Sequence, residues 1–230
     1  RNRIAIDLRE TGNAPSQDAH NALNQYLMDE LPKLIQDDRQ RPVVRYNAML
    51  LLGDLNAQEA PKVGLGKATP LPAAFPLLLS AYQDQNMPIA IRVAALLGLN
   101  RHASLGIADK GARDALKAEM LKTFTEKQLP KNTTEQAHVW LRRRAAETLG
   151  ALGTTGTAPE NTQVLAALLG VINDRQADIM LRAEAARAMQ MMDFSTPPNI
   201  NTPVIARALA GLVVDVIESA PTRPVLKHVL

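Results

Sequence analysis

The sequence contains no cysteine and few aromatic residues, and each shortage excludes particular structures. Without cysteine, the chain forms no disulfide bond, no thiolate metal site and no cysteine nucleophile. Aromatic residues make up only 3% of the 230 residues, whereas hydrophobic residues make up 46%. The core must therefore be built from Ala, Leu, Val, Ile and Met. This composition favours closely packed helices over a β-sandwich, which usually contains more aromatic and β-branched residues.

The chain also lacks a strong charge of either sign and a long apolar run. It has 26 basic and 23 acidic residues, which gives a formal net charge of +3. A nucleic-acid-binding domain usually has a denser basic face, so nucleic acid is the less favoured partner. No run of about 18 apolar residues occurs, so we predict no membrane span. The lack of cysteine is compatible with the bacterial periplasm and with the cytoplasm, which leaves the compartment open.

No residue pattern typical of an enzyme or a metal site is present. The four histidines do not stand at metal-ligand spacing, and no His-Glu-x-x-His motif occurs. The segment Gly64–Thr69 has Ala68 where a phosphate-binding P-loop requires Ser or Thr. The acidic residues are scattered, so no general acid/base pair is indicated. We therefore predict a protein that is not an enzyme, with no catalytic residue, no metal and no cofactor.

One short pattern recurs four times along the chain. It consists of an apolar residue, an arginine, and an alanine three places after the arginine. The four arginines are Arg45, Arg92, Arg142 and Arg182, separated by 47, 50 and 40 residues. A recurrence of this length is typical of a stack of helical hairpins.

The spacing of apolar residues predicts where these hairpins lie. Residues 1–16 form an N-terminal extension of unclear structure, in which Ile4, Ile6 and Leu8 are compatible with a short strand or with the end of a helix. Residues 17–230 form the repeat domain. Its hairpins are predicted at about 17–56, 71–101, 109–152 and 162–193, with a partial fifth at 203–230.

Acidic residues precede three of the repeated arginines at a constant distance of eight residues. They are Asp37, Asp84 and Asp174, which stand before Arg45, Arg92 and Arg182. The third repeat has Thr134 at this place. We predict a structural ladder in which these aspartates and arginines form charge-assisted hydrogen bonds, tying each turn to its own or the next helix.

The combination of proline, apolar-Arg, Ala and Leu-Gly at these offsets resembles the HEAT repeat family of α-solenoids. The best matches are Pro42-Val43-Val44-Arg45 with Ala48 and Leu52-Gly53, and Leu141-Arg142 with Ala145 and Leu149-Gly150. The resemblance covers roughly residues 17–218. It implies an all-α fold, a right-handed α-solenoid of about four to five HEAT-like helical hairpins. The family implies protein or peptide binding, and sometimes nucleic-acid binding or enzyme activity, without implying one reaction.

Two repeats depart from the family pattern at the Leu-Gly place. In the second repeat, Gly98 comes two residues early, and the fourth repeat has Met189-Gln190 instead. These departures weaken single repeats and leave the predicted architecture unchanged.

The third repeat holds the residues most typical of a binding surface. Trp140 is the only tryptophan, and Arg143 and Arg144 are additional to the repeated Arg142. Tryptophan and arginine are enriched in binding hot spots. Arg92 and Arg187 are further candidates on the second helices of their hairpins. The structural alternative is that Trp140 fills a gap between helices while the extra arginines face water.

Two functions follow from this sequence. The favoured one is a non-catalytic scaffold that binds a protein or peptide on the concave face and the inter-repeat loop rim of the solenoid. The alternative is a nucleic-acid-binding HEAT-like protein, with or without base-repair activity.

Overall fold

Helices make up most of the computed structural model, which describes residues 17–61, 66–131, 133–153, 159–194 and 201–219. The predicted N-terminal extension and the end of the predicted partial fifth hairpin, residues 220–230, lie outside the described residues. The helices of the described part are α1 (Gln17–Gln36), α2 (Pro42–Asp54), α3 (Ala74–Gln83), α4 (Ile89–Leu105), α5 (Lys110–Thr125), α6 (Glu135–Ala151), α7 (Pro159–Asn173), α8 (Ile179–Gln190) and α9 (Thr202–Ser219). Helix packed on helix confirms the all-α class.

Two short strands add to the helices in a segment that the sequence presents as a loop. β1 (Asn56–Gln58) pairs antiparallel with β2 (Thr69–Pro70), and the Leu71 N–H donates to the Leu55 carbonyl at 2.9 Å. The carbonyl of Asn56 accepts hydrogen bonds from the Asn24 amide, at 2.8 Å, and from the His20 ring, at 2.9 Å. These contacts fix the connection between α2 and α3 against α1.

The chain forms two compact units, residues Arg1–Leu116 and Lys117–Leu230. In the first unit α4 packs against α2 and α3, and α1 packs against α2. Its core includes the fully buried Leu78, Leu96 and Leu99. In the second unit α8 packs against α6 and α7, and α9 packs against α7 and α8. Here Leu168 and Leu181 are fully buried.

The three aspartates of the predicted ladder shape the turns of their hairpins. Each turn has five residues, and the Oδ1 atoms of Asp37, Asp84 and Asp174 accept hydrogen bonds from the N–H groups two residues later, at 3.1, 2.9 and 3.1 Å. This Asx-turn geometry is a local alternative to helix, so it ends one helix and directs the chain into the next. Asp37 also pairs with Arg39 at 2.8 Å, and Asp174 pairs with Lys127 at 2.8 Å.

The repeated arginines bind main-chain carbonyls instead of these aspartates. The Nε atoms of Arg45, Arg92, Arg142 and Arg182 donate to the carbonyls of Ile35, Tyr82, Phe124 and Ile172, at 2.8, 3.0, 2.9 and 2.9 Å. In every hairpin the acceptor belongs to the next-to-last residue of the first helix. The last carbonyl groups of a helix receive no hydrogen bond from an N–H of the same helix. The arginine side chain supplies that missing donor. The predicted pairing of Asp37 with Arg45, Asp84 with Arg92 and Asp174 with Arg182 is therefore wrong.

Two of these arginines also reach the following hairpin. Arg182 Nη2 lies 2.6 Å from Asp215 Oδ2 on α9, and its hydrogen bond holds the pKa of Asp215 below the usual range. Arg45 Nη2 contacts the sulfur of Met87 at 3.8 Å. The repeated arginine thus joins the helices of its own hairpin and, in these two cases, the next hairpin as well.

Small residues allow the second helices of neighbouring hairpins to approach closely. A Cβ atom on Gly53 would lie 2.7 Å from the Gly98 Cα, and a Cβ atom on Gly150 would lie 2.9 Å from the Ala188 Cα. Gly98 and Ala188 both stand six places after their repeated arginine, where they receive the glycine eight places after the arginine of the preceding hairpin. The glycine that comes two residues early in the second repeat, Gly98, is therefore the residue against which Gly53 of the first repeat packs.

No helix in the described ranges is long and apolar enough to cross a lipid bilayer.

Candidate binding surface

One face of α6 brings together three of the predicted binding residues. Trp140, Arg143 and Arg144 stand at positions i, i+3 and i+4, which lie on the same side of a helix. The helix begins at a capped N-terminus, where the Thr134 hydroxyl accepts a hydrogen bond from the Ala137 N–H at 3.2 Å. All three side chains are partly buried. We call these three residues the Trp–Arg surface.

Arg144 is held in place by two contacts along α6. Its guanidinium lies over the Trp140 ring, 5.3 Å from the ring centroid. It also forms an ion pair with Glu147, one turn further along the helix. A cation over an indole ring is attracted to the ring face. Arg144 is therefore ordered, and Glu147 already neutralises part of its charge.

Arg143 differs from its neighbour because its Nε atom is buried without a hydrogen-bond partner. The described residues supply it with no carboxylate. An unsatisfied buried donor costs about 1–3 kcal/mol relative to a paired one. The Nε atom itself is covered by the protein, so another molecule can reach Arg143 only through the part of its half-buried guanidinium that faces solvent.

His138, on the same helix, is protonated less readily than an ordinary histidine. It is buried on α6, and burial lowers the pKa of its imidazole below the ordinary value, as does the nearby charge of Arg142. The Trp–Arg surface thus takes its charge from arginine side chains.

Arg187 lies apart from the Trp–Arg surface in its bonding. Its side chain is 61% exposed on α8 and pairs with Glu184, one turn earlier, at 3.2 Å. Among the described residues, no hydrogen bond or ion pair joins it to Trp140 or Arg143. Arg187 lies on α8, which packs against α6, but it is not part of the Trp–Arg surface.

Arg92 is not available to a binding partner. Only 7% of its surface is exposed, its Nε donates to the Tyr82 carbonyl, and its guanidinium lies 5.7 Å from the centroid of the Tyr82 ring. The prediction that Arg92 contributes to binding is therefore wrong, because this side chain joins α3 to α4.

Sequence reasoning missed the acidic partners of the candidate arginines. Glu147 and Glu184 lie three places from Arg144 and Arg187, a spacing at which helical side chains meet. That spacing was a usable signal. No signal in the sequence marked Arg143 as the arginine whose Nε lacks a partner.

Within the part of the chain that the structure describes, no three histidine, aspartate or glutamate side chains group as they would around a metal ion. No protein-family model, no curated protein and no solved structure matches the chain. The resemblance to HEAT repeats thus rests on the repeated motif alone.

Proposed function

We propose that this chain is a non-catalytic binding module that captures an acidic segment of a protein or peptide on the Trp–Arg surface. The observation that carries the proposal is that Arg143 is only partly buried, that no described carboxylate pairs with it, and that its Nε has no hydrogen-bond partner among the described residues. A partner carboxylate would pair with a guanidinium charge that no described carboxylate neutralises. Trp140 beside it offers a large, rigid apolar surface for the neighbouring part of the same segment.

The architecture in which we place this surface is a right-handed HEAT-like solenoid of about four to five hairpins. Support comes from the arginine–carbonyl bond at the same place in each of four hairpins. In such a stack the second helices line the concave face. The Trp–Arg surface belongs to one of these second helices, α6.

Nucleic acid is the weaker alternative because the other candidate arginines already have partners. Arg144 and Arg187 pair with glutamates of their own helices, and Arg92 is buried against a carbonyl. A nucleic-acid surface needs several cations that are free to replace counterions along a phosphate backbone. One arginine that has no carboxylate partner among the described residues fits a single carboxylate better.

Peptide binding tests this proposal directly. Immobilised peptides that carry Asp or Glu beside apolar residues are compared with versions in which Asn and Gln replace the acids. The wild-type chain is expected to bind the acidic versions more tightly, and Arg143→Gln is expected to lower that affinity by roughly 10-fold or more, since a hydrogen bond to a charged group contributes about 1.5–3 kcal/mol.

Arg207→Gln is the matched control, because Arg207 is an exposed arginine of α9 in the same unit. It should leave peptide affinity unchanged. Thermal unfolding of both variants should match the wild type, which separates a binding defect from a folding defect. Equal binding of acidic and amide peptides, or an unchanged affinity of Arg143→Gln, would rule out the proposed surface.

A further inference from the structure

The first unit contains a cavity of about 650 Å³ beside α3. Its walls come from α3, the C-terminal end of α4, the connection that follows it, the first turns of α5, and β2. Most of the lining is apolar, including Pro72, Phe75, Leu79, Ile107 and Ala112. Ligand-binding pockets typically measure about 300–1,000 Å³ and are lined in this way.

The connection that forms one wall is fixed at both ends. Gly106 ends α4 with a φ of 107°, a backbone conformation that favours glycine, and its N–H donates to the His102 carbonyl at 3.0 Å. At the other end, Asp109 Oδ1 accepts from the Ala112 N–H at 2.6 Å and so caps α5. The cavity therefore has a defined wall between two helix ends.

One polar side chain in the lining lacks a partner. His102 is only 3% exposed, and its Nε2 atom is buried without a hydrogen bond to any described residue. The Phe75 ring packs against it at a centroid distance of 5.9 Å, tilted by 55°. A buried polar atom of this kind costs about 1–3 kcal/mol unless something supplies its partner.

The charge state of His102 restricts which ligand groups can form a hydrogen bond with it. Burial, together with the nearby charge of Arg101, lowers the pKa of the imidazole to about 4. The ring is therefore neutral at pH 7, and it accepts or donates one hydrogen bond according to its tautomer. Asp109, the charged residue of the lining, already caps α5. An anionic ligand would lose its hydration here without gaining a counter-charge.

We propose that this cavity binds a small, uncharged and largely apolar molecule that offers one hydroxyl or carbonyl group to His102. The apolar body of the ligand fills the space between α3 and the start of α5, and its single polar group supplies the hydrogen bond that His102 lacks. The site lies in the first unit and uses none of the residues of the Trp–Arg surface, so it goes beyond the proposed peptide binding.

Three ring compounds of similar size test the proposed ligand class. 2-Naphthol has an apolar body and one hydroxyl group, naphthalene has the same body without the hydroxyl, and 2-naphthoate carries a charge. Calorimetric titration of the full chain is expected to show 2-naphthol binding roughly 3- to 10-fold more tightly than naphthalene, the contribution of one neutral hydrogen bond. 2-Naphthoate is expected to bind more weakly than either.

Two variants locate the binding. His102→Phe keeps an aromatic side chain but removes the ring nitrogens, so 2-naphthol should fall to the affinity of naphthalene. Ala115→Trp fills the cavity from an exposed position on α5 and should abolish the binding of both compounds. Because Ala115 is exposed, this second variant tests the site even where His102→Phe fails to fold.

The proposal is overturned if no compound binds, if 2-naphthol and naphthalene bind equally, or if Ala115→Trp leaves binding unchanged. Binding of apolar peptides in place of 2-naphthol, lost in Ala115→Trp, would also overturn it in favour of a peptide groove. Arg143→Gln should retain 2-naphthol binding, so the failure of one proposal does not imply the failure of the other.

Discussion

Each repeated arginine donates a hydrogen bond to a main-chain carbonyl near a helix C-terminus, where the helix itself supplies no donor. In Arg92 the Nε–H donates to the Tyr82 carbonyl, and the rest of the guanidinium packs over the Tyr82 ring. A lysine has the same charge, but its ammonium lies at the end of a flexible stem and does not reproduce this planar contact. The role of the side chain therefore depends on its shape as well as its charge.

Arg92→Lys should lower the free energy of unfolding by roughly 2 kcal/mol, the size of one hydrogen bond from a charged group. The measurement is denaturant unfolding followed by circular dichroism. Arg41→Lys, at an exposed position in the same unit, should change stability by no more than about 0.5 kcal/mol. Equal effects of the two substitutions would show that the carbonyl bond contributes nothing specific.

His102 should make the stability of the chain depend on pH. Its folded-state pKa of about 4 lies below the unfolded value of about 6.5, so the unfolded chain binds the proton more readily between these values. The stabilising contribution is complete above pH 6.5 and is lost as the pH falls towards 4, by up to about 3 kcal/mol. The test is the unfolding free energy of the wild type and of His102→Phe across this range.

The difference between the two pH curves isolates His102. The pKa of His138 is also lowered by burial, so His138 destabilises both proteins in acid and its effect cancels. The wild type should lose more stability than His102→Phe between pH 6.5 and 4. Parallel curves would mean that folding does not lower the pKa of His102.

The close contact of α6 with α8 depends on the absence of one side chain. A Cβ atom on Gly150 would lie 2.9 Å from the Ala188 Cα and carbonyl oxygen, and backbone cannot move aside as a side-chain tip does. For Gly170, on α7 in the same unit, no atom of the described residues outside its own helix backbone lies within 4 Å of such a Cβ. These two glycines are a matched pair for separating packing from helix propensity.

Gly150→Ala should destabilise the second unit by about 1–3 kcal/mol through overpacking. Gly170→Ala should stabilise it by about 0.5–1 kcal/mol, because alanine loses less backbone entropy in a helix than glycine. The fluorescence of Trp140 on α6 follows the unfolding of this unit. Changes of the same sign in both variants would contradict the close approach.

The positions of the helices could be predicted from the sequence, because apolar spacing and the turn residues are local signals. Helices α1 and α2 lie within the segment 17–56 in which the sequence predicts the first hairpin, and Pro42 stands at the first position of α2, where a missing N–H costs nothing. β1 and β2 were not predicted, since their pairing joins residues across a long connection. The predicted all-α class is confirmed, and the handedness of the stack and the number of repeats stay predictions.

The candidate site was only partly predictable, for a physical reason. A main-chain carbonyl is the same at every residue, so the acceptor of Arg45 or Arg182 leaves no trace in side-chain identity. The constant spacing of Asp37, Asp84 and Asp174 reflects their common role in the turns, where each accepts a hydrogen bond from the N–H two residues later. The proximity of Trp140 to Arg144 followed from helical spacing alone, whereas the unpaired Nε of Arg143 depends on packing across helices.

For the whole molecule, charge is the property that distinguishes the two proposed classes of partner. The net charge is only +3, and the candidate arginines Arg144 and Arg187 pair with glutamates. A nucleic-acid-binding protein that makes 6–10 phosphate contacts shows a correspondingly steep dependence of affinity on salt. A single arginine–carboxylate contact replaces about one ion.

The affinity of the intact chain for an acidic peptide should therefore fall with salt with a logarithmic slope near −1. Titrations between about 50 and 200 mM salt measure this slope, a range in which a multi-phosphate contact would lose about 10³-fold or more. A slope steeper than about −4, or tighter binding of single-stranded DNA than of the peptide, would favour the nucleic-acid alternative.

The arginine–carbonyl bond is present in hairpins whose turns differ in length. Five residues join the helices in three hairpins and nine residues, 126–134, join α5 to α6, yet Arg142 Nε still lies 2.9 Å from the Phe124 carbonyl. The helices are registered by a bond between them, so the intervening segment is free to differ in sequence and size. Residues 128–131, beyond the ion pair of Lys127 with Asp174, are accordingly a natural place to graft a foreign loop for display.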